Sequence, residues 1–88
     1  MIVKIYYNIL LTTEEMNYLL EVMKNYNANI DYSFINDKYY KILAEKEEFI
    51  ELYYALRSAY RDYSDVEDQR TKIVRKLYYE IRLIVEGW

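Results

Sequence analysis

The side chains with the greatest chemical reach are tyrosines and arginines, and they recur together. Leu52-Tyr53-Tyr54-Ala55-Leu56-Arg57 is followed 25 positions later by Leu77-Tyr78-Tyr79-Glu80-Ile81-Arg82. On a helix, adjacent tyrosines point about 100° apart, so Tyr53 and Tyr78 are expected to face the core, with Tyr54 and Tyr79 at its edge. Arg57 and Arg82 stand three and four residues beyond the tyrosines. At that spacing a guanidinium can lie over a ring, an interaction worth ~0.5–1 kcal/mol when exposed. Read structurally, each motif is a core-and-boundary cassette of an amphipathic helix. Read functionally, it is a surface for gripping a protein partner, because Tyr and Arg are enriched among the anchors of interfaces. The candidate surface is Tyr54, Arg57, Arg61, Arg75, Tyr79 and Arg82, with Glu47, Glu48 and Glu51 as an oppositely charged part.

Other chemistries compete with this one. Arg70, Lys72, Arg75, Lys76 and Arg82 surround Tyr79 and could hold phosphates while a base stacks on the ring. Asp65, Glu67, Asp68, Glu80 and Glu86 lie among them, and the net charge of -3 opposes the long-range attraction that such binding needs. The acidic run Glu45, Glu47, Glu48 and Glu51, preceded by Asp31 and Asp37, could mimic DNA phosphates, but Lys38, Lys41 and Lys46 interrupt it. It reads as a solvated helix N-terminus. Glu47 and Glu51 could share a proton or a divalent ion, yet no nucleophile, glycine-rich phosphate loop or oxyanion hole accompanies them. The chain has neither cysteine nor histidine, which removes disulfides, thiol nucleophiles, zinc fingers and imidazole bases together. No enzyme activity, catalytic residue, cofactor or metal is expected.

The elements that must position these residues follow from periodicity. Val3, Ile5, Tyr7, Ile9 and Leu11 alternate with Lys4, Tyr6, Asn8 and Leu10, which predicts a strand over residues 2 to 11. Thr12-Thr13-Glu14-Glu15 is a capping box, and Met16, Leu19, Leu20 and Met23 follow at helical spacing. That helix is predicted over 13 to 27, ending in the Asn25, Asn27, Asn29 cluster that tolerates left-handed backbone. Ile30, Tyr32 and Phe34 alternate, as do Tyr40 and Ile42 beyond Asn36-Asp37, so strands over 29 to 35 and 39 to 44 form a hairpin. A turn of Asn36, Asp37 and Lys38 sets Phe34 opposite Tyr40 and Tyr32 opposite Ile42, at the cost of putting Lys38 where left-handed backbone is called for.

From Glu45 the period is helical. Phe49, Leu52, Tyr53, Leu56, Tyr60 and Tyr63 form one stripe; Ile73, Leu77, Ile81, Ile84 and Trp88, with Val74, Tyr78 and Val85, form the next. In one continuous rod the two motifs would share a face but stand about 37 Å apart. A second capping box, Ser64-Asp65-Val66-Glu67, favours a break, with helices over 46 to 63 and 65 to 86. The charges agree: Arg57 and Arg61 lie near one C-terminus, and Asp65, Glu67 and Asp68 in the next first turn. Folding back at 63 to 65 would bring Arg75, Lys76 and Arg82 to the acidic run Glu45 to Glu51, and would set the second motif beside that run instead of opposite the first. Trp88 after Gly87 is expected to fold back onto Leu83 as a helix cap.

The expected fold is therefore α+β: strand, helix and β-hairpin in residues 1–44, then an antiparallel helix pair in residues 45–88, within one domain of 88 residues. Residues 1 to 52 carry 5 basic and 9 acidic side chains, and residues 53 to 88 carry 7 and 6, so the acidity sits in the first part. The apolar N-terminal run is too short to cross a bilayer and lacks a small-residue cleavage site, so a cytoplasmic protein is expected with no membrane partner. Tyr, Ile, Lys and Asn have AT-rich codons and are abundant, which suggests a low-GC genome, with phages, viruses and their bacterial or archaeal hosts as the natural candidates. The functional expectation is a non-enzymatic protein-binding module, an accessory protein inhibiting a host defence or nucleic-acid-processing complex. Nucleic acid or a nucleotide is the alternative ligand. With 13 tyrosines on so small a body, a homodimer through Tyr54, Tyr79 or a sheet edge is also expected.

Overall fold

The computed structural model describes residues 6–63 and 68–87. It confirms an α+β fold of a three-stranded antiparallel sheet and three helices. The start of the first strand, the Ser64 to Glu67 capping box and the packing of Trp88 lie outside the described residues.

Strand β1 (Tyr7–Thr12) runs straight into α1 (Thr13–Asn25) because Thr12 is both the last strand residue and the helix cap. Its Oγ1 accepts from Glu15 N at 3.1 Å, while Glu15 Oε1 accepts from Thr12 N at 2.9 Å, the reciprocal pair of a capping box. The helix stops two residues earlier than expected, with Tyr26 as its C-cap. Asn27 adopts φ 55°, and Ala28 N donates to Met23 O, so the asparagine does supply the left-handed residue of a Schellman-type end.

Strands β2 (Tyr32–Asn36) and β3 (Tyr39–Ala44) form the hairpin, and the sheet order is β1-β3-β2. The register sets Phe34 opposite Tyr40 and Tyr32 opposite Ile42 as expected, by a different route. Asn36 pairs with Tyr39 across a two-residue turn, and the odd residue is absorbed as a bulge at Ile35. Asn36 Oδ1 accepts from Lys38 N and Tyr39 N, so an Asx turn holds the corner. Asn27 is the only non-glycine with positive φ among the described residues, which spares Lys38 the left-handed position.

Tyr7, Ile9 and Leu11 of β1 and Tyr40, Ile42 and Ala44 of β3 turn toward the helices. Asn8, Leu10, Tyr39 and Leu43 turn to solvent on the other face. Helix α2 (Lys46–Tyr63) begins with Glu48 Oε1 accepting from Glu45 N at 2.9 Å and buries Phe49, Leu52, Ala55, Leu56 and Ala59. Phe49 meets Tyr7 edge-on at 6.3 Å, joining α2 to the sheet. Helix α3 (Gln69–Glu86) buries Thr71, Ile73, Val74, Leu77 and Ile81 and packs along α2. Its cap is Asp68, whose Oδ1 accepts from Thr71 N at 2.9 Å, and its first turn holds no acid. This corrects the expected start at residue 65. Thr71 Oγ1 also donates to Tyr63 O at 3.1 Å, closing the corner between the helices.

Candidate protein-interaction surface

With α3 capped at Asp68, the residues that meet across the α2–α3 pair differ from those expected. Tyr53 of the first motif stacks on Tyr78 of the second, with centroids 5.6 Å apart and planes 29° from parallel. This corrects the expectation that the two copies do not lie opposite each other. Tyr60 lies 5.3 Å from Tyr78 and 6.2 Å from Tyr79, the latter edge-on. Tyr54 and Tyr79 extend the chain outward from Tyr53 and Tyr78, each with its ring 5.4 Å from its neighbour's. Five tyrosines thus form one continuous aromatic band across the α2–α3 pair. Each favourable ring pair contributes about 0.5–1.5 kcal/mol beyond area burial.

The band grades from core to solvent. Tyr53, Tyr60 and Tyr78 are half-buried, while Tyr54 and Tyr79 are 56% and 46% exposed. Alanines 55 and 59 take the fully buried places of α2 and push the tyrosines to the boundary, so Tyr53 and Tyr78 are flanking residues of the core. Hydrogen bonding to Tyr78, followed by burial, raises the pKa of Tyr53, and hydrogen bonding to Tyr60 raises that of Tyr79. Leu83, one helical turn past Tyr79, is 74% exposed and extends the apolar strip along α3. Tyr54 also lines a groove of about 320 Å³ with Glu51, Ser58 and the Tyr26 to Ala28 end of α1.

The charged candidates divide. Arg57 and Arg61 are exposed beside the band, and Arg61 Nε approaches Asp62 Oδ1 at only 4.0 Å. Arg82 is half-buried and held by Glu86 at 2.9 Å, which raises its pKa. Arg75 is half-buried. Glu47 and Glu51 are exposed, whereas Glu48 serves as a cap of α2.

Cross-chain neutralisation takes a different form from the expected one. Lys76 pairs with Glu15 of α1 at 2.8 Å, and Arg70 pairs with Glu21 of α1 at 3.2 Å while lying 4.3 Å over the Tyr63 ring. Helix α3 therefore fastens to α1 through Lys76–Glu15 and Arg70–Glu21. Burial pushes the Glu15 carboxyl up, but hydrogen bonds from Lys76 and Thr12 outweigh it and hold the group below the usual carboxylate range. Lys76 is raised in return. Beside α1, Tyr26 donates its hydroxyl to Asp62, and burial together with that carboxylate pushes its pKa up to about 12.

The sequence reading missed Tyr53, Tyr60 and Tyr78 as surface contributors, and placed Leu83 only as the residue under Trp88 and not as an exposed apolar side chain. The short side chains of Ala55 and Ala59, at helical spacing within the stripe, are the signal that would have found the tyrosines. Among the described residues no cluster of acidic side chains could hold a metal ion, and no helix is long and apolar enough to cross a membrane. Comparison with protein-family models, curated proteins and solved structures found no match to this chain.

Proposed function

We propose that this chain is a non-enzymatic protein-binding module that grips its partner with the tyrosine band of the α2–α3 pair. The observation that carries the reading is the graded aromatic face, in which Tyr54 and Tyr79 stand more than two-fifths exposed on three ring-stacked neighbours. Rings already held by their neighbours lose little freedom on binding, and tyrosine combines a large apolar area with a polar tip. Arg57 and Arg61 flank the band as rim charges suited to an acidic border on the partner. The low-GC composition and small size make phage- or virus-borne inhibition of a host defence or nucleic-acid complex the setting proposed for that grip.

The nucleic-acid alternative loses support. Three of the basic residues that would hold phosphates, Arg70, Lys76 and Arg82, are engaged by Glu21, Glu15 and Glu86. Releasing them would expose carboxylates to the same phosphates.

The test compares the wild-type chain with a Tyr54→Ala/Tyr79→Ala variant as bait in host-cell lysate, followed by titration of the purified captured protein. The expected result is a specific protein held by the wild type and bound at least about tenfold more weakly by the variant. Equal capture by both, or capture of nucleic acid that vanishes as salt rises, would overturn the proposal.

A further inference from the structure

Strand β2 is the anomaly of the sheet. The register places Tyr32 and Phe34 on the helix-facing side, opposite Ile42 and Tyr40, yet they remain 45% and 60% exposed because no helix extends over them. All five residues of β2 are exposed and none is charged. The outer edge of β2 pairs with nothing among the described residues.

The backbone of that edge can be assigned. Leu43 N donates to Asp31 O, so the peptide groups of Asp31, and by alternation those of Ser33, point toward β3. Those of Tyr32 and Phe34 then point outward, leaving two N–H and two C=O groups open before the bulge at Ile35.

We infer that this edge is a dimer seam, taken by β2 of a second copy in antiparallel register about a two-fold axis at Ser33. In this register Tyr32 lies opposite Phe34 of the second copy, and Phe34 opposite its Tyr32. The four outward groups of one chain satisfy the four of the other, and the exposed rings become cross-strand aromatic pairs on the helix side. Tyr32 forms one wall of an open groove of about 610 Å³ whose lining is mixed, with Leu20, Met23 and Ile30 beside the polar Lys24, Asp31 and Glu48. The ring of Phe34 from the second copy reaches the mouth of that groove, which gives the cover that this chain lacks for itself.

Charge selects the register. An axis at Phe34 would set Asp31 directly against Asp37 of the second copy, and like charges directly opposite are unfavourable. An axis at Tyr32 would need Ile30 in the ladder, but that residue is only 7% exposed and belongs to the core. The axis at Ser33 avoids both. The seam is separate from the tyrosine band of the helices, and the inference does not rest on the protein-binding reading.

The test uses sedimentation of the full chain with substitutions at Ser33, an exposed residue facing away from the helices. The wild type is expected to sediment as a dimer. Ser33→Lys and Ser33→Glu, each setting like charges across the axis, are expected to raise the dissociation constant about tenfold or more, and an equimolar mixture of the two to restore the dimer. Because the chain has no cysteine, Ser33→Cys introduces a single thiol. At a non-hydrogen-bonded pair the two Cα atoms stand about 4.5 Å apart, within disulfide range, so this variant is expected to oxidise to a covalent dimer. Asn8→Cys, on the exposed face of β1, is the control expected not to do so. A wild-type monomer at high micromolar concentration would overturn the inference. So would a dimer that survives Ser33→Lys but dissociates on Tyr79→Ala, or an open polymer in place of a dimer.

Discussion

Replacing Glu15 by Gln is expected to remove the ion that ties α1 to α3 while keeping an acceptor for the helix cap. Glu15 is only 7% exposed, and its two oxygens are divided between Thr12 N at 2.9 Å and Lys76 Nζ at 2.8 Å. The amide oxygen of Gln can still accept from Thr12 N, so the cap weakens without vanishing. What disappears is the charge. A carboxylate in the first turn of a helix contributes about 0.3–1 kcal/mol through the dipole. The bond to Lys76 adds about 0.5–1 kcal/mol, discounted because that side chain is 58% exposed and solvent screens it. The variant should therefore lose about 1–2 kcal/mol at pH 7, read from urea unfolding at constant slope. The pH dependence supplies a second check. The folded pKa of Glu15 lies below its unfolded value, so its contribution is complete above the unfolded value, near 4.3, and is lost as pH falls through the folded one. The difference between wild type and variant should shrink from about pH 5 downward and approach zero once the carboxyl is protonated. A gap that is the same at pH 7 and in acid, or no gap at pH 7, would refute the role given to this ion pair.

Asp68→Ala should cost about 1 kcal/mol by removing the cap of α3, and Asp68→Asn should recover most of it, both measured by urea unfolding. Tyr54→Ala and Tyr79→Ala should each change stability by no more than about 0.5–1 kcal/mol, whereas Tyr78→Ala, whose ring contacts Tyr53, Tyr60 and Tyr79, should cost about 2–3 kcal/mol; equal losses would mean that the band has no outer members. Tyr26 should resist deprotonation until about pH 12 and titrate earlier in Asp62→Asn, followed by NMR of the labelled ring. Because its folded pKa is raised, the stability it contributes is complete below about pH 10 and lost as pH climbs toward 12, and Tyr26→Phe should flatten that alkaline decline.

Much of this fold is written locally, and those parts were legible. The capping box at Thr12 and the bounds of β3 and α2 depend on neighbouring residues, and periodicity reads them directly. The hairpin register was legible because the apolar alternation on both strands admits one pairing, even though the turn that achieves it uses a bulge. The start of α3 was not. Ser64 and Asp68 each begin a stretch that can cap a helix, and local pattern does not rank them; in the structure Asp68 caps α3, and Thr71 bonds Tyr63 across the corner. A displacement of a few residues in the fold-back point then decides every pairing between the two helices. The two tyrosine motifs face each other as a result. The bareness of β2 was equally out of reach, because alternation shows that a strand has an apolar side without showing whether any helix is wide enough to cover it.

The economy of a chain this short accounts for both exposed surfaces. A small domain buries a modest fraction of its surface, and here the buried positions of α2 are partly filled by Ala55 and Ala59. Larger rings are displaced to the boundary, where they stabilise the helix pair with one side and remain open on the other. Tyr53 and Tyr78 thus serve stability, while Tyr54 and Tyr79 spend the same stacking on display. Pairing through β2 would present two such bands in a fixed relation about the Ser33 axis. A partner carrying two copies of its own site would then be held with an effective concentration in the millimolar range for the second contact, far beyond one band alone. Ser33→Lys separates the two effects: it should leave the affinity of one band unchanged and abolish only that gain. If Ser33→Lys instead weakened binding to a partner with a single site, the tyrosine band would depend on the sheet edge, and the division of the molecule into two independent surfaces would fail.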